Sequence, residues 1–285
     1  MISSTDGLRL APGDAVDLQL HTDFSDGRWT LEALLEHLRR ERFALAAITD
    51  HDRVDTVATV QQAASAVGVP VLVAVEMTSA WEGGMVDLLC FGFDPAHGAL
   101  HALAQGLWTR QRENSREVNV NLQRLGCDVG HEVLATVIAR PSSQQPQAWV
   151  DALSEAGHGA GGSSAGELAA RAGCSFATND PAAVAEATHR GGGVCLLAHP
   201  GRADGFVPFD DERLDRFRRE VPIDGLEVAY PLHSPAQTAA FRAYARRNGL
   251  LASAGSDSHG PERPPVPYLA ESCRGLLERL GLWGA

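Results

Sequence analysis

Apolar and polar positions along the first hundred residues switch between two periods, predicting strands and helices in turn. AVDLQLH (15–21) reads as a strand. Thr30 stands where a helix cap is expected, ahead of LEALLEHLRRERF, in which Leu31, Leu34, Leu35 and Leu38 share one face at helical spacing. LAAIT (45–49) is a short apolar run of the kind a buried strand shows. Residues 54–67 predict a helix, VPVLVAVE (69–76) a third strand and MVDLLCFGF (85–93) a fourth.

The texture then changes. Residues 98–125 predict a long polar helix, and 147–157 and 181–190 predict shorter ones. AGHGAGGSSAG (156–166) reads as a flexible Gly/Ser-rich connection. With no strand predicted from about 98 to 192, a helical insertion over 98–191 is expected, carried by a core domain made of 1–97 and 192–285. Alternation resumes with strand GVCLLAH (193–199), helix 210–220, strand DGLEVAY (224–230), helix PAQTAAFRAYARRNG with its glycine stop, strand LLASAG (250–255) and helix ESCRGLLERLG. This order predicts an α/β protein, either a parallel barrel or a doubly wound sheet.

Length and composition narrow the possibilities. A chain of 285 residues suffices for one large domain, or for a core domain with an insertion. No apolar run approaches the ~18 residues of a membrane span. The start, MISSTDGLRLAPGD, lacks the basic and apolar stretches of a secretory signal, so a cytoplasmic enzyme without a membrane partner is expected. The net charge of −12 argues against an extended nucleic-acid surface and leaves room for a small phosphorylated substrate. Every basic side chain other than histidine is arginine, which rules out a Schiff-base lysine and a Walker-type phosphate loop. Cys90, Cys127, Cys174, Cys195 and Cys273 form no C-x-x-C pair and read as reduced and mostly buried.

The candidate chemistry is positional. His21, Asp50, His51, Glu76, His199, Asp257 and His259 each fall at the end of a predicted strand or just past it. In parallel α/β folds those ends converge on one face, where active sites form. Four segments carry them: LHTDFSDG (20–27), TDHD (49–52), AHPGR (198–202) and GSDSHG (255–260). Neutral imidazoles mixed with carboxylates suit Zn, Mn or Fe, and a carboxylate such as Glu76 can bridge two ions that activate a water for attack on phosphorus. Asp50 is expected either to cap the next helix or to support a ligand, and Asp52 to cap a helix.

Taken in order, the four segments resemble the polymerase-and-histidinol-phosphatase (PHP) family, and within it the small bacterial phosphoesterases that act on nucleotides. The resemblance covers about 15–100 and 192–265, and DGLEVAYPLHSPAQTAAFRAYARRNGLLASAGSDSHG is especially like that branch. It implies a distorted (β/α)7-type barrel with a helical insertion and two or three divalent ions (Mn, Zn, Fe or Mg). One ion would use Gln19, His21, Glu76 and Asp257; a second Glu76, His199 and Asp87; a third Asp26, His51 and His259. Glu76, Asp257 and His259 would stand at the reaction itself, with His259 or a water protonating the leaving oxygen. Two positions depart from the family pattern. The usual His-x-His opening reads Gln19-Leu20-His21, where Gln19 is either a ligand or a buried strand amide, and Asp87 stands where the family carries a histidine. Asp87 would favour harder ions such as Mn or Mg.

In this branch the insertion supplies phosphate-binding arginines. Arg140-Pro141 resembles an Arg-Pro-His motif with Ser142 in place of the histidine, and Arg110, Arg112 and Arg202 are further candidates because guanidinium grips phosphate in bidentate fashion. His233 is placed to reach the substrate. The activity expected is hydrolysis of a phosphate ester on a nucleotide-like molecule: a 5′- or 3′-phosphate, a cyclic phosphate or a short RNA end. Two competing readings are a binding or regulatory module on a catalytically impaired barrel, and a metal-dependent hydrolase acting on another bond.

Overall fold

The computed structural model describes residues 4–159 and 163–284. Strands β1 (Ala15–Leu20), β2 (Leu45–Ile48) and β3 (Val71–Leu72) alternate with helices α1 (Leu31–Arg40) and α2 (Val57–Val67). Strands β4 (Ala74–Trp81) and β5 (Gly84–Phe91) follow, then helices α3 (Ala99–Arg124), α4 (Val133–Ala139), α5 (Gln145–Glu155), α6 (Ala165–Arg171) and α7 (Pro181–Arg190). The chain closes with β6 (Val194–Leu197), α8 (Asp211–Glu220), β7 (Gly225–Ala229), α9 (Pro235–Arg247), β8 (Leu251–Ala254), β9 (Tyr268–Leu269) and α10 (Arg274–Arg279). Among the described residues no helix is long and apolar enough to cross a membrane.

The strands form two sheets, ordered β3-β2-β1-β9 and β4-β5-β6-β7-β8. The expectation of an all-parallel arrangement needs correcting: β5 runs antiparallel to both β4 and β6. The cause is local. Glu82 and Gly83, both at positive φ, make a two-residue turn that folds β5 straight back on β4. The ladders among the described residues form these two sheets, and short parallel bridges, Leu20 to Ser258 and His51 to Glu76, join them where β1 and β2 end.

Period-two alternation sends Val16 and Leu18 of β1, Leu45 and Ala47 of β2, Leu89 and Phe91 of β5, and Leu196 of β6 into one shared core, closed by Leu276 and Leu277 of α10. The leucine face of α1 packs with Ala46 and Ile48 in a second cluster. Thr30 caps α1 as expected, accepting from the Ala33 N–H at 3.2 Å. The pairing of β1 slips between Asp17 and Leu20, so Leu18 faces the first core and Leu20 the second.

The chain divides into two compact units, residues 1–103 with 179–285, and residues 104–178. The insertion was expected over 98–191. Helix α7 instead packs against β4, β5 and β6, because its buried face of Val184, Ala185, Ala187 and Thr188 covers the sheet. The second unit has its own core around Trp149, Leu153, Val118 and Leu122. Two short helices there, α4 and α6, were not predicted. Of the expected Gly/Ser-rich connection, residues 160–162 lie outside the described part.

Candidate metal centre

The centre is built at the ends of β1, β2, β6 and β8, and on β4 and β5. His21 follows β1, His51 follows β2, His199 follows β6, and Asp257 and His259 follow β8. Glu76 does not end its strand as expected; it is the third residue of β4, which runs on into the hairpin. It still stands level with the other ends, because its backbone N–H donates to the carbonyl of Thr49 at the end of β2.

The side chains converge. His21 Nε2 lies 3.0 Å from Glu76 Oε2 and 3.2 Å from Asp257 Oδ1. His199 Nε2 lies 3.2 Å from Glu76 Oε1 and 3.7 Å from Asp87 Oδ2. His51 Nε2 and His259 Nε2 lie 3.8 and 3.4 Å from Asp26. Ligand-capable atoms of His21, Asp26, His51 and His259 all fall within 4.8 Å of one another, as do those of His21, Glu76 and Asp257 and those of His51, Glu76 and Asp87. Gln19, fully buried, aims its amide nitrogen at both Glu76 oxygens, each at 3.0 Å.

The electrostatics fit a cation. Burial alone would raise the Glu76 and Asp26 carboxyls, yet the adjacent imidazoles, His51 foremost, hold both below the usual carboxylate range. Asp87 moves the other way, pushed up by burial and by the charge of Glu76. Neither ring nitrogen of buried His21 has an aligned hydrogen-bond partner, and Asp87 Oδ1 has none either. Buried polar atoms are normally satisfied, so unmatched donors and acceptors grouped around shared points are what divalent ions would complete. The donor set, imidazole with carboxylate, suits such ions. Two ring orientations also fit. His259 Nδ1 lies 2.9 Å from the carbonyl of Asp257 and His51 Nδ1 3.4 Å from Thr78 Oγ1, which leaves each Nε2 for ligation.

A layer of buried acids that sequence reasoning passed over holds the ligand loops. Asp17 accepts from the Ser256 and Val266 N–H groups, and burial raises its carboxyl to about 7. Glu227 accepts from the His199 N–H at 3.0 Å, its carboxyl raised by burial. The only sign of either in the sequence was a lone acid on an apolar strand, a placement that demands a partner. Asp50 accepts from Thr22 N–H, Thr22 Oγ1 and Ser25 Oγ, so it supports the His21 loop rather than capping a helix. Asp52, expected as a cap, instead binds the Thr78 N–H on β4. His199 and Asp257 both sit at positive φ, a strained backbone that such anchoring sustains.

The substrate candidates divide. Arg202 Nη1 is 3.9 Å from Asp257 Oδ2, and its guanidinium stacks 4.3 Å from the Phe206 ring centroid. His233 does not offer a nitrogen to substrate: Nε2 accepts from the Gly201 N–H at 3.1 Å and Nδ1 lies 3.2 Å from the Val228 carbonyl. It braces the AHPGR loop. In the second unit, Arg110 donates to the Thr178 carbonyl and Arg112 to that of Ile138. Arg140 lines a cleft with Glu132, Asp151 and Glu155, an acid-rich setting for a phosphate-binding role. Tyr230, not singled out from sequence, donates to Asp257 Oδ2 at 3.2 Å.

Known proteins share features of this chain. Residues 17–136 match the PHP domain family. Over most of its length the chain is similar to bacterial proteins named as phosphatases and exoribonucleases. It is 28% identical to a 3′,5′-nucleoside bisphosphate phosphatase of Chromobacterium violaceum, over 86% of this chain and 87% of that one. It is 27% identical to the 5′-3′ exoribonuclease Rnm of Salmonella typhimurium, over 86% and 85%. A structure described as that of a metal-dependent phosphoesterase from Bifidobacterium adolescentis superposes with a TM-score of 0.73 at 25% identity, covering 95% of this chain and 98% of its own.

Proposed function

We propose that this protein is a metal-dependent phosphoesterase that hydrolyses a phosphate ester of a nucleotide or a similarly small molecule. The observation that carries the reading is the convergence of four imidazoles and four carboxylates, drawn from segments between residues 21 and 259, on one buried cluster. The two sheets, bridged at Leu20–Ser258 and His51–Glu76, are read as the walls of the distorted (β/α)7-type barrel. The helical unit over 104–178 is read as the insertion.

Asp26, His51 and His259 would hold one ion, and Glu76, His199 and Asp87 another. When bound, such ions supply Lewis acidity, acidifying a water and drawing charge from phosphoryl oxygens. The chain's own groups do the rest. Arg202 stands ready to grip a phosphoryl oxygen. The Tyr230 phenol, raised by burial and by Asp257, stays protonated and orients that carboxylate. His259, with 24% of its side chain exposed, is the most accessible of the four imidazoles, so its end of the cluster opens to solvent, from which a water would protonate the leaving oxygen.

The net charge of −12 favours a small substrate over a long polyanion. Hydrolysis should be assayed as phosphate release from nucleoside 3′,5′-bisphosphates and mononucleotides, as ring opening of a cyclic phosphate and as mononucleotide release from a short 5′-phosphorylated RNA, with Mn, Mg or Zn. Metal-dependent hydrolysis that chelator abolishes is expected. No hydrolysis of any of them with any ion would favour the impaired binding module, a reading to which the Gln19–Glu76 hydrogen bonds lend some weight.

A further inference from the structure

We infer that Gln19 occupies, with its amide N–H groups, the edge of Glu76 that a third cation would take, so that this cluster binds two divalent ions tightly rather than three. The inference rests on the phosphoesterase reading and specifies how its site is loaded.

The geometry is the first support. Gln19 Nε2 lies 3.0 Å from each Glu76 oxygen, so the amide spans the edge of the carboxylate. Reversing the amide would set its oxygen against both carboxylate oxygens, a repulsive arrangement, which fixes the assignment. The amide oxygen has no hydrogen-bond partner and, in this orientation, does not face Glu76. Glu76 thereby gains from a neutral donor part of the stabilisation that a chelated ion would give it.

His21 is the second support. A neutral imidazole has one lone pair for a metal, so His21 serves either the set with Asp26, His51 and His259 or the set with Glu76 and Asp257, not both. The ring turns Nε2 toward Glu76 Oε2 at 3.0 Å and Nδ1 toward Asp26 Oδ1 at 3.8 Å, so with the Glu76 edge taken by Gln19 it is Nδ1, toward the first set, that is left for an ion. Glu76 keeps its outer lone pairs for the ion it would share with His199 and Asp87.

The test is metal content per chain, by elemental analysis after exhaustive desalting from excess Mn, on wild type, Gln19→Glu and Gln19→His. Gln19→Glu keeps the shape of the side chain and turns a donor into an anion, so it guards against a variant that fails to fold. Two ions in wild type and three in either variant are expected. Three ions in wild type, or the same count in all three proteins, none included, would overturn the inference. Phosphate release by wild type, measured separately, reports on the phosphoesterase reading: turnover with three ions bound sinks only the Gln19 argument.

Discussion

Glu76 and His199 are 123 positions apart in the chain, yet Oε1 of one and Nε2 of the other lie 3.2 Å apart in the buried cluster. Glu76 arrives on β4 and His199 just past β6, with β5 hydrogen-bonded between those two strands. Their meeting is therefore a product of sheet order, and the predictions below follow from what holds the two residues there.

Glu227 fixes the strained backbone of His199 through one N–H contact. Glu227→Leu should weaken metal binding about 10- to 100-fold, as loss of a supporting partner does. Glu227→Gln, which keeps an acceptor oxygen, should retain most of the affinity. Titration of the metal-free proteins with Mn, followed calorimetrically, checks both.

Asp50 serves three donors of the His21 loop, at 2.7, 2.7 and 2.6 Å. Asp50→Ala strands buried donors and should lower stability by about 3 kcal/mol. Denaturant unfolding of the metal-free protein measures it, and a change well below about 1 kcal/mol would mean that water replaces the carboxylate.

Much of this was legible beforehand. The leucine spacing of α1 and the apolar runs of β1, β2 and β6 specify buried elements through local patterning, which sequence displays directly. The imidazoles stood out because the short loops after strands are polar by necessity, and histidine repeated there has no packing reason. What sequence hid depends on pairing at a distance. Nothing in MVDLLCF states that β5 runs antiparallel, since an apolar run buries equally well in either direction. Asp17 and Glu227 looked like isolated acids because their partners, Ser256 and His199, lie far away in the chain. His233 looked available because a ring nitrogen accepting from the Gly201 N–H leaves no mark in composition.

Arg202 is tethered by Asp204 at 2.8 Å and rests on Phe206, so it is held without being buried. Arg202→Ala should raise KM about tenfold or more, the loss of one charge-assisted hydrogen bond to phosphate, with metal content unchanged. Steady-state kinetics paired with elemental analysis distinguishes this from a collapsed site, which would lose ions as well.

Metal retention should depend on pH with a definite sign. Imidazole must be deprotonated to ligate, so affinity holds above the unperturbed histidine pKa of about 6.5 and is lost as pH falls through it. Dialysis at stepped pH values, with bound Mn counted at each, should show ions leaving toward acid. Retention unchanged down to pH of about 4 would mean that histidines are not ligands.

The central claim is that His21, Asp26, His51, Glu76, Asp87, His199, Asp257 and His259 surround shared cations, and anomalous diffraction from crystals grown with Mn tests it most directly. The account predicts strong anomalous peaks inside this cluster, one in contact with Glu76 and His199 and another with Asp26, His51 and His259, the first lost in Glu76→Ala crystals and the second in His259→Ala crystals. Well-ordered crystals of the wild-type protein with no anomalous density among these side chains, or with ions bound only elsewhere, would contradict it.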